Sequence, residues 1–174
     1  MQESTIIARC QGGDIGAFEW IYERYGQVLL HTAARMLGQR QDAEDAVQMT
    51  FIKLYKGIGK FRQEAKFSTY LFRILMNVCY DMMKKNARMK KQTIETIEPS
   101  MTQNTILRME LEEAMAGLPA QQKACFVLFA VEGLPQQNIA EMLGLSVGGV
   151  KSNIHHAKNK LKRMLSERNE EELS

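Results

Sequence analysis

The stretch "GLPQQNIAEMLGLSVGGVKSNIHHAKNKLKRML", residues 133–165, decides the fold of its part of the chain. Apolar residues recur at helical spacing in its first half, at Ile139, Ala140 and Leu143. Gly144 follows at the point where the backbone can turn through a left-handed conformation. Leu145 can then fill the space between two helices, and Ser146 is a good N-cap residue. This order of turn, core residue and cap predicts a helix-turn-helix.

The second helix of this motif is predicted to begin at Val147 and to have two unlike faces. One face is apolar, with Val150, Ile154, Ala157 and Leu161. The other is polar and basic, with Lys151, Ser152, His155, His156, Lys158, Asn159 and Lys162. Of the thirteen residues 151–163, five are basic and none is acidic. A basic face alone is also typical of a solvated helix, but behind a capped turn it favours DNA binding.

Charge is sorted along the chain rather than scattered. Residues 1–50 carry a net charge of −3, residues 51–100 carry +7, and residues 101–174 carry −1. The basic helix therefore lies within a C-terminal third that is otherwise acidic. Two separated basic surfaces predict two contacts with one long polyanion.

Helical periodicity extends over the remaining sequence, so we expect an all-α protein. The first long helix is predicted between Asp14 and Gly38, and its inward stripe would contain Ile15, Phe18, Ile21, Tyr22, Tyr25, Leu29, Thr32, Ala33 and Met36. Further helices are predicted in "QDAEDAVQMTFIKLYKG" and "FSTYLFRILMNVCYDMMKKNARMKK". Residues 92–105 lose the periodicity and are predicted to form a flexible linker. The result is two small helical domains, residues 1–91 and 106–174.

No metal site, cofactor or membrane insertion is expected. His155 and His156 are neighbours, about 100° apart on a helix, which does not suit chelation of one ion. Cys10, Cys79 and Cys125 lack CxxC spacing and are expected to be buried or partly buried thiols in a reducing compartment. The apolar stretches fall short of the ~20 residues that a bilayer span needs. We therefore expect a cytoplasmic protein.

Two longer stretches resemble a known family, the extracytoplasmic-function sigma factors of bacterial RNA polymerase, within the sigma-70 superfamily. "DAEDAVQMTFIKLYKGIGKFRQEAKFSTYLFRILMNVCYDMMKK" resembles their region 2, and "LPAQQKACFVLFAVEGLPQQNIAEMLGLSVGGVKSNIHHAKNKLKRML" resembles their region 4. The resemblance covers nearly all of the chain except the linker and the tails. It implies a transcription initiation factor without enzymatic activity, which directs core RNA polymerase to promoters and aids strand opening.

The resemblance also implies roles for individual residues. Recognition of the −35 element would fall to Lys151, Ser152, Asn153, His155, His156 and Lys158. Residues 57–66 and the following helix would hold the unpaired −10 strand, through Phe61, Lys66, Phe67, Tyr70, Arg73, Asn77, Lys84 and Lys85. For each aromatic residue taken alone, a core role is the simpler expectation. The polymerase would be bound by Glu44, Asp45 and Gln48.

The partners implied are core RNA polymerase, through its β′ coiled coil and its β flap, together with promoter DNA and an anti-sigma factor. The chain departs from the usual family pattern at four positions. It has Gly149 in place of threonine, Asn153 and His156 in place of arginine, and Met49 in place of glutamate. These departures are expected to affect which promoter sequence is recognised and how strongly polymerase is bound.

Two other functions are alternatives to this one. In a self-standing helix-turn-helix regulator, residues 1–90 would form an effector or dimerisation domain, which would not need the basic, aromatic helix near residues 67–91. An enzyme would need a catalytic motif, and the sequence contains no glycine-rich phosphate loop, HExxH motif or nucleophile elbow.

Overall fold

The computed structural model describes residues 2–90 and 111–171, and the chain divides into two compact units, Met1–Met82 and Met83–Ser174. The described residues form helices and connecting turns without strands, which confirms the all-α prediction. The predicted linker, residues 92–105, lies outside the described residues. The proposed domain limits at residues 91 and 106 stay predictions.

The first unit is built from helices that follow one another with short connections. They are α1 (Glu3–Gln11), α2 (Ile15–Leu37), α3 (Arg40–Gly57) and α4 (Phe67–Lys90), with a 3-10 turn at Ile58–Lys60. The division between the two units falls inside α4, between Met82 and Met83. Helix α2 packs along α3, and ring pairs mark their seam: Phe18 with Tyr55 at 5.1 Å and Tyr22 with Phe51 at 5.0 Å between centroids.

Helix α2 begins and ends where the sequence predicts. The Asp14 carboxylate caps its first turn by accepting a hydrogen bond from the Gly16 N–H at 3.0 Å. Gly38 ends it in the left-handed conformation, with φ at 79°, and donates its N–H to the Ala34 carbonyl at 2.8 Å. These local signals fix the long helix that supports the rest of the unit.

The core of the first unit is aliphatic and well filled. Its fully buried large side chains are Ile6, Ile21, Leu29, Met36, Leu54, Leu71, Leu75 and Met76. The inward stripe predicted for α2 is wrong at both Ile15 and Tyr22, which are 69% and 57% exposed. Ile15 opens the helix, so no preceding helical turn covers it. The Tyr22 ring packs against Phe51 and leaves its outer edge in solvent.

The second unit carries the helix-turn-helix. Residues 111–116 are helical (α5), followed by α6 (Ala120–Phe126), a π-helical turn (Val127–Val131), α7 (Gln136–Leu143) and α8 (Val147–Glu171). Helical periodicity in "AQQKACFVLFAVEG" predicts one helix across α6 and the π turn. The structure instead widens the helix there, and the Glu132 N–H reaches the Val127 carbonyl at 3.1 Å.

The turn between α7 and α8 has the predicted glycine and cap, and Leu145, which was predicted to fill the space between the helices, is half-buried. Gly144 adopts φ of 67°, and the Leu145 N–H donates to the Ala140 carbonyl at 2.9 Å. The Ser146 hydroxyl accepts from the Gly149 N–H at 3.0 Å and so caps α8. The predicted apolar stripe of α8 is confirmed, with Val150, Ile154, Ala157 and Leu161 each at most 5% exposed. Met142, which the sequence did not single out, joins this core at 3%.

Candidate functional site

The outer face of α8 presents a basic surface. Exposed side chains on it are Lys151, Ser152, His155, His156, Lys158, Asn159 and Lys162. They lie opposite the buried stripe, so packing against α6 and α7 orients them outward. The helix thus offers ammonium groups for phosphates and polar side chains for base edges.

Two polar side chains of α8 are held by the helix itself. Asn153 is half-buried, and its Nδ2 donates to the Gly149 carbonyl at 2.8 Å, so the amide is engaged within the first turns of the helix. The Asn159 Nδ2 lies 2.9 Å from Nε2 of His155, on the exposed face. Among the residues that the structure describes, no cluster of three or more His, Cys, Asp or Glu side chains could hold a metal ion.

A second basic surface follows residues 61–66 and the start of α4. Tyr70, Arg73 and Asn77 share one face of α4 by their spacing, and Arg73 and Asn77 are exposed. Lys66 is exposed just before the helix begins. Lys84 and Lys85 are also exposed, on the part of α4 that belongs to the second compact unit.

Phe61 and Phe67 do not belong to this exposed surface. They are 9% and 2% exposed, and their rings meet edge to face at 5.7 Å. Phe61 stacks on Tyr70 at 4.7 Å, and Phe67 contacts Tyr25 at 5.9 Å. Both rings are used to anchor the loop to the core, because burial of their apolar surface is more favourable than exposure. In the free chain both rings therefore have the core role that is the simpler expectation for an aromatic residue, and their direct contact with DNA stays a prediction.

The loop carries two cations that the sequence did not predict as site residues. Lys60 and Arg62 are exposed on either side of the buried Phe61. Gln63 has a positive φ of 57°, which is uncommon for a residue other than glycine. Both cations could have been identified from the sequence, because they flank Phe61 and lie in or next to the segment assigned to the −10 strand.

The first half of α3 presents a third surface. Glu44, Asp45 and Gln48 are all exposed, and Glu44 is paired with Arg40 at 2.8 Å. Beside them, a groove of about 330 Å³ lies along α2 and α3, with Val47 at its base. Its lining residues are Tyr22, Glu23, Gly26, Gln27, Leu30, Glu44, Val47 and Gln48.

Apolar side chains continue this surface along α3. Met49, Ile52 and Tyr55 are 46%, 48% and 58% exposed. Exposed apolar groups of this size beside carboxylates are typical of a protein-binding surface. The sequence predicts the polar residues of this surface but not Ile52 and Tyr55, which recur at helical spacing from Asp45 and Gln48 on the same helix.

Family comparisons match both units. The Sigma-70 region 2 model matches residues 21–89, and the Sigma-70 region 4 model matches residues 108–161. The first match includes the α3 surface and the loop before α4, and the second includes α7 and the part of α8 up to residue 161. No helix among the described residues has both the length and the apolar character needed to span a bilayer.

Individual relatives agree with these matches. The chain is 30% identical over 166 residues to the ECF RNA polymerase sigma factor SigM of Mycobacterium tuberculosis, which covers 94% of this chain and 84% of that protein. The structure of CnrH in complex with the cytosolic domain of CnrY aligns with a TM-score of 0.72 at 27% identity, over 93% of this chain and 96% of that chain.

The sigma factor RpoE from Bartonella quintana, in complex with the anti-sigma factor NepR, aligns with a TM-score of 0.69 at 25% identity. That alignment covers 86% of this chain and 96% of that chain. These likenesses favour a sigma factor over a self-standing regulator, because they span both units and not only the helix-turn-helix. The chain belongs to the extracytoplasmic-function sigma factors, the transcription initiation factors of bacterial RNA polymerase.

Proposed function

We propose that three surfaces of this chain divide the work of promoter-directed initiation. The outer face of α8 reads the −35 element, the loop at residues 61–66 with the start of α4 holds the −10 strand, and the exposed half of α3 binds core polymerase. The observation that carries the proposal is an exposed basic surface within each region that the two family models match. The chain acts by binding, in the cytoplasm where its polymerase works, and not by covalent chemistry.

At the −35 element, α8 would enter the major groove with its N-terminal turns. Ser152 and His155 lie where base edges are read in a helix-turn-helix, and Lys158 lies further along the helix, where phosphates are contacted. Asn153 is bonded to Gly149 within the helix, so its contribution is to hold that turn rather than to read a base. Exposed lysines give affinity, and the residues nearer the groove floor give sequence preference.

At the −10 element, single-stranded DNA needs cations for its phosphates and a surface for its bases. Arg62, Lys66 and Arg73 are exposed cations in this region, and Asn77 offers an amide on the same face of α4 as Arg73. The Tyr70 ring is half-buried beneath Phe61 and serves mainly as support. The Lys84 and Lys85 pair further along α4 would contact phosphates.

Polymerase binding would combine carboxylates and apolar side chains on α3. Asp45 and Gln48 provide polar contacts to the β′ coiled coil, and Met49 and Ile52 provide apolar area that is solvated in the free chain. Apolar area at the centre of an interface, with polar residues around it, is the usual arrangement for protein association. A contact of the second unit with the β flap is part of the same proposal.

An anti-sigma protein is a further proposed partner. The RpoE structure that resembles this chain was determined with an anti-sigma factor bound. A protein that covers the α3 surface would compete with polymerase, because both would use the same exposed apolar residues.

Co-elution with bacterial core RNA polymerase on gel filtration tests the polymerase surface. The wild-type chain is expected to co-elute, and Asp45→Arg is expected to elute separately because it reverses a charge at the centre of that surface. Glu64→Arg makes the same change of charge in the exposed loop and is expected to co-elute like the wild type. Retention of Asp45→Arg on polymerase would contradict the assignment of α3.

The rival function predicts a different outcome. A self-standing regulator would fail to co-elute in its wild-type form and would bind a palindromic duplex without polymerase. Duplex selection from a randomised pool, with and without core polymerase, separates the two functions. A sigma factor is expected to select spaced −35 and −10 elements only when polymerase is present.

A further inference from the structure

The Gln11 side chain connects the last turn of α1 to the turn that follows α3. Its Nε2 donates to the Ile58 carbonyl at 3.2 Å and to the Phe61 carbonyl at 2.9 Å, across 47 and 50 residues of sequence. An amide NH₂ group has two hydrogens, and each faces one carbonyl oxygen. Because both partners can only accept, the orientation of the amide is fixed by the chemistry of the contact.

The two carbonyls lie at the ends of one turn. The Phe61 N–H donates to the Ile58 carbonyl at 3.0 Å, so Ile58 and Phe61 are already joined by a backbone hydrogen bond. The Gln11 amide closes this turn from outside by bridging both residues. It therefore fixes the backbone at the position from which residues 62–66 leave the core.

Helix α1 is a rigid support for this contact. Ile6, Ile7 and Cys10 are 1%, 4% and 2% exposed, and the Tyr25 hydroxyl donates to the Glu3 carboxylate. Arg9 is paired with Asp14 at 2.7 Å, next to the start of α2. Since α1 is attached at several points along its length, the Gln11 amide has a defined position relative to the core.

The other side of the loop is equally well held. Phe61 stacks on Tyr70 at 4.7 Å, and Phe67 begins α4 in the core at 2% exposure. A Cβ on Gly57 would come within 3.0 Å of the Tyr70 hydroxyl, so the chain passes close to that ring. Between these anchors only residues 62–66 leave the core, and they carry the exposed cations Arg62 and Lys66.

We propose that Gln11 is a positioning residue for the strand-holding loop, and that it sets where Arg62 and Lys66 meet the unpaired −10 strand. This rests on the proposed role of the loop at residues 61–66. Gln11 does not contact DNA in this mechanism; it acts through the Ile58 and Phe61 carbonyls. Loss of its amide lets the loop sample other positions, so unpaired DNA is bound less well while duplex binding by α8 is unaffected.

The test compares holoenzymes that carry wild-type, Gln11→Ala or Gln11→Glu chains. Gln11→Glu keeps the size of the side chain and replaces the donor with an acceptor that faces two carbonyls. The DNA is selected by wild-type holoenzyme from a pool randomised across both elements, and it is measured as a full duplex and as a fork with unpaired −10 bases. Thr5→Ala is the matched control, because Thr5 is exposed elsewhere on α1.

Gln11→Ala is expected to lower affinity for the fork by roughly five- to tenfold, the range that corresponds to a lost hydrogen bond. Gln11→Glu is expected to lower it further, because its carboxylate repels both carbonyl oxygens. Both Gln11 variants are expected to co-elute with core polymerase, to bind the full duplex within about twofold of the wild type, and to melt within a few degrees of it. Thr5→Ala is expected to match the wild type in every measurement.

Two outcomes overturn the inference and distinguish it from its premise. If Arg62→Ala with Lys66→Ala weakens fork binding but the Gln11 variants do not, Gln11 has no positioning role and the loop keeps its proposed function. If neither set weakens fork binding, the proposed function of the loop fails as well. Equal losses of fork binding, core binding and melting temperature in the Gln11 variants would show a purely structural role and would also overturn it.

Discussion

Individual residues of this chain make contacts that the neighbouring sequence predicts only in part. Asp14 caps α2 and is paired with Arg9 of α1, so one carboxylate joins two helices. The hydrogen bond from Arg9 is the main cause that lowers the pKa of Asp14, although the loss of hydration acts in the opposite direction. Charge at this residue therefore favours the folded state.

The Asp14→Asn variant tests this at the residue scale. Asn keeps a side-chain oxygen for the cap but loses the charge that pairs with Arg9. A carboxyl with a lowered folded pKa stabilises the fold above its unfolded pKa, and this is lost as pH falls through the folded value. We expect the variant to be less stable than the wild type at pH 7 and the difference to shrink below about pH 4.

Urea unfolding at pH 7, 5 and 3 measures this difference. Asp14→Ala is the comparison that removes both the cap and the charge, and it should remain less stable than Asp14→Asn at every pH. A stability difference between wild type and Asp14→Asn that is constant from pH 7 to pH 3 would contradict the role of the charge.

The three cysteines confirm the expectation of buried thiols. Cys10, Cys79 and Cys125 are free and 2% exposed or less. Burial raises the pKa of the Cys10 thiol and raises that of Cys125 to about 11. Because the thiolate is the reactive form, both side chains serve as small core residues.

Among the elements, α8 combines a strong cap with an intrinsically weak first turn. Ser146 caps the helix, yet Gly148 and Gly149 follow immediately and favour other conformations. The turn before the helix needs glycine for a different reason, since Gly144 has φ of 67°. Gly144 is therefore needed for the turn, whereas Gly148, four residues later, weakens the helix.

Paired substitutions at these glycines test the element. A Cβ on Gly148 would lie 3.9 Å from the Ser146 hydroxyl, so Gly148→Ala is expected to stabilise the second unit by about 0.5–1 kcal/mol. Gly144→Ala is expected to destabilise it by about 1 kcal/mol or more, because alanine at positive φ is strained. Denaturant unfolding followed by circular dichroism measures both, and equal effects of the two substitutions would refute this explanation.

For the whole molecule, the two proposed DNA-binding surfaces fall on one chain that divides into two compact units. Two weak contacts joined by a tether bind more tightly than either alone, because the second contact forms at a high effective concentration. The division between the units lies inside α4, whereas the sequence places the domain limit at residue 91. Separate fragments test the position of the domain limit and the gain in DNA affinity that the covalent connection provides.

Fragments 1–91 and 106–174 are expected to fold separately and to be helical by circular dichroism. Mixed with core polymerase, they are expected to hold promoter DNA at least about 100-fold less tightly than the intact chain. Nitrocellulose filter retention of labelled promoter DNA gives the comparison, with the intact chain as control. Binding by the mixture that equals the intact chain would rule out a contribution from the covalent connection.

Much of the fold follows from local signals. Asp14, Gly38, Gly144 and Ser146 each act through hydrogen bonds or backbone angles within a few residues, so the sequence predicts the helix ends that they form. The apolar stripe of α8 is likewise set by helical periodicity. The π turn at Val127–Val131 was missed, since a change in helical hydrogen bonding leaves no distinct spacing in so short an apolar run.

The candidate surfaces were predicted less evenly. The exposed lysines and histidines of α8 follow from the position of its buried stripe, because side chains on the opposite face of a helix point away from the core. The sequence leaves the role of Phe61 and Phe67 open, since an aromatic residue before a basic helix can serve either the core or a ligand, and both are buried in the free chain. Only their ring contacts with Tyr25 and Tyr70 decide for the core.

The sequence by itself determined the helical class, the helix-turn-helix and the sigma-factor family, because these depend on periodicity, capping and motifs that are local in the chain. Tertiary structure alone decided that the Gln11 amide bridges Ile58 and Phe61 and that the Met49 and Ile52 side chains of α3 stay exposed. The physical reason is distance along the chain: contacts between residues some 50 positions apart leave no periodic trace, and they exist only once the helices have packed.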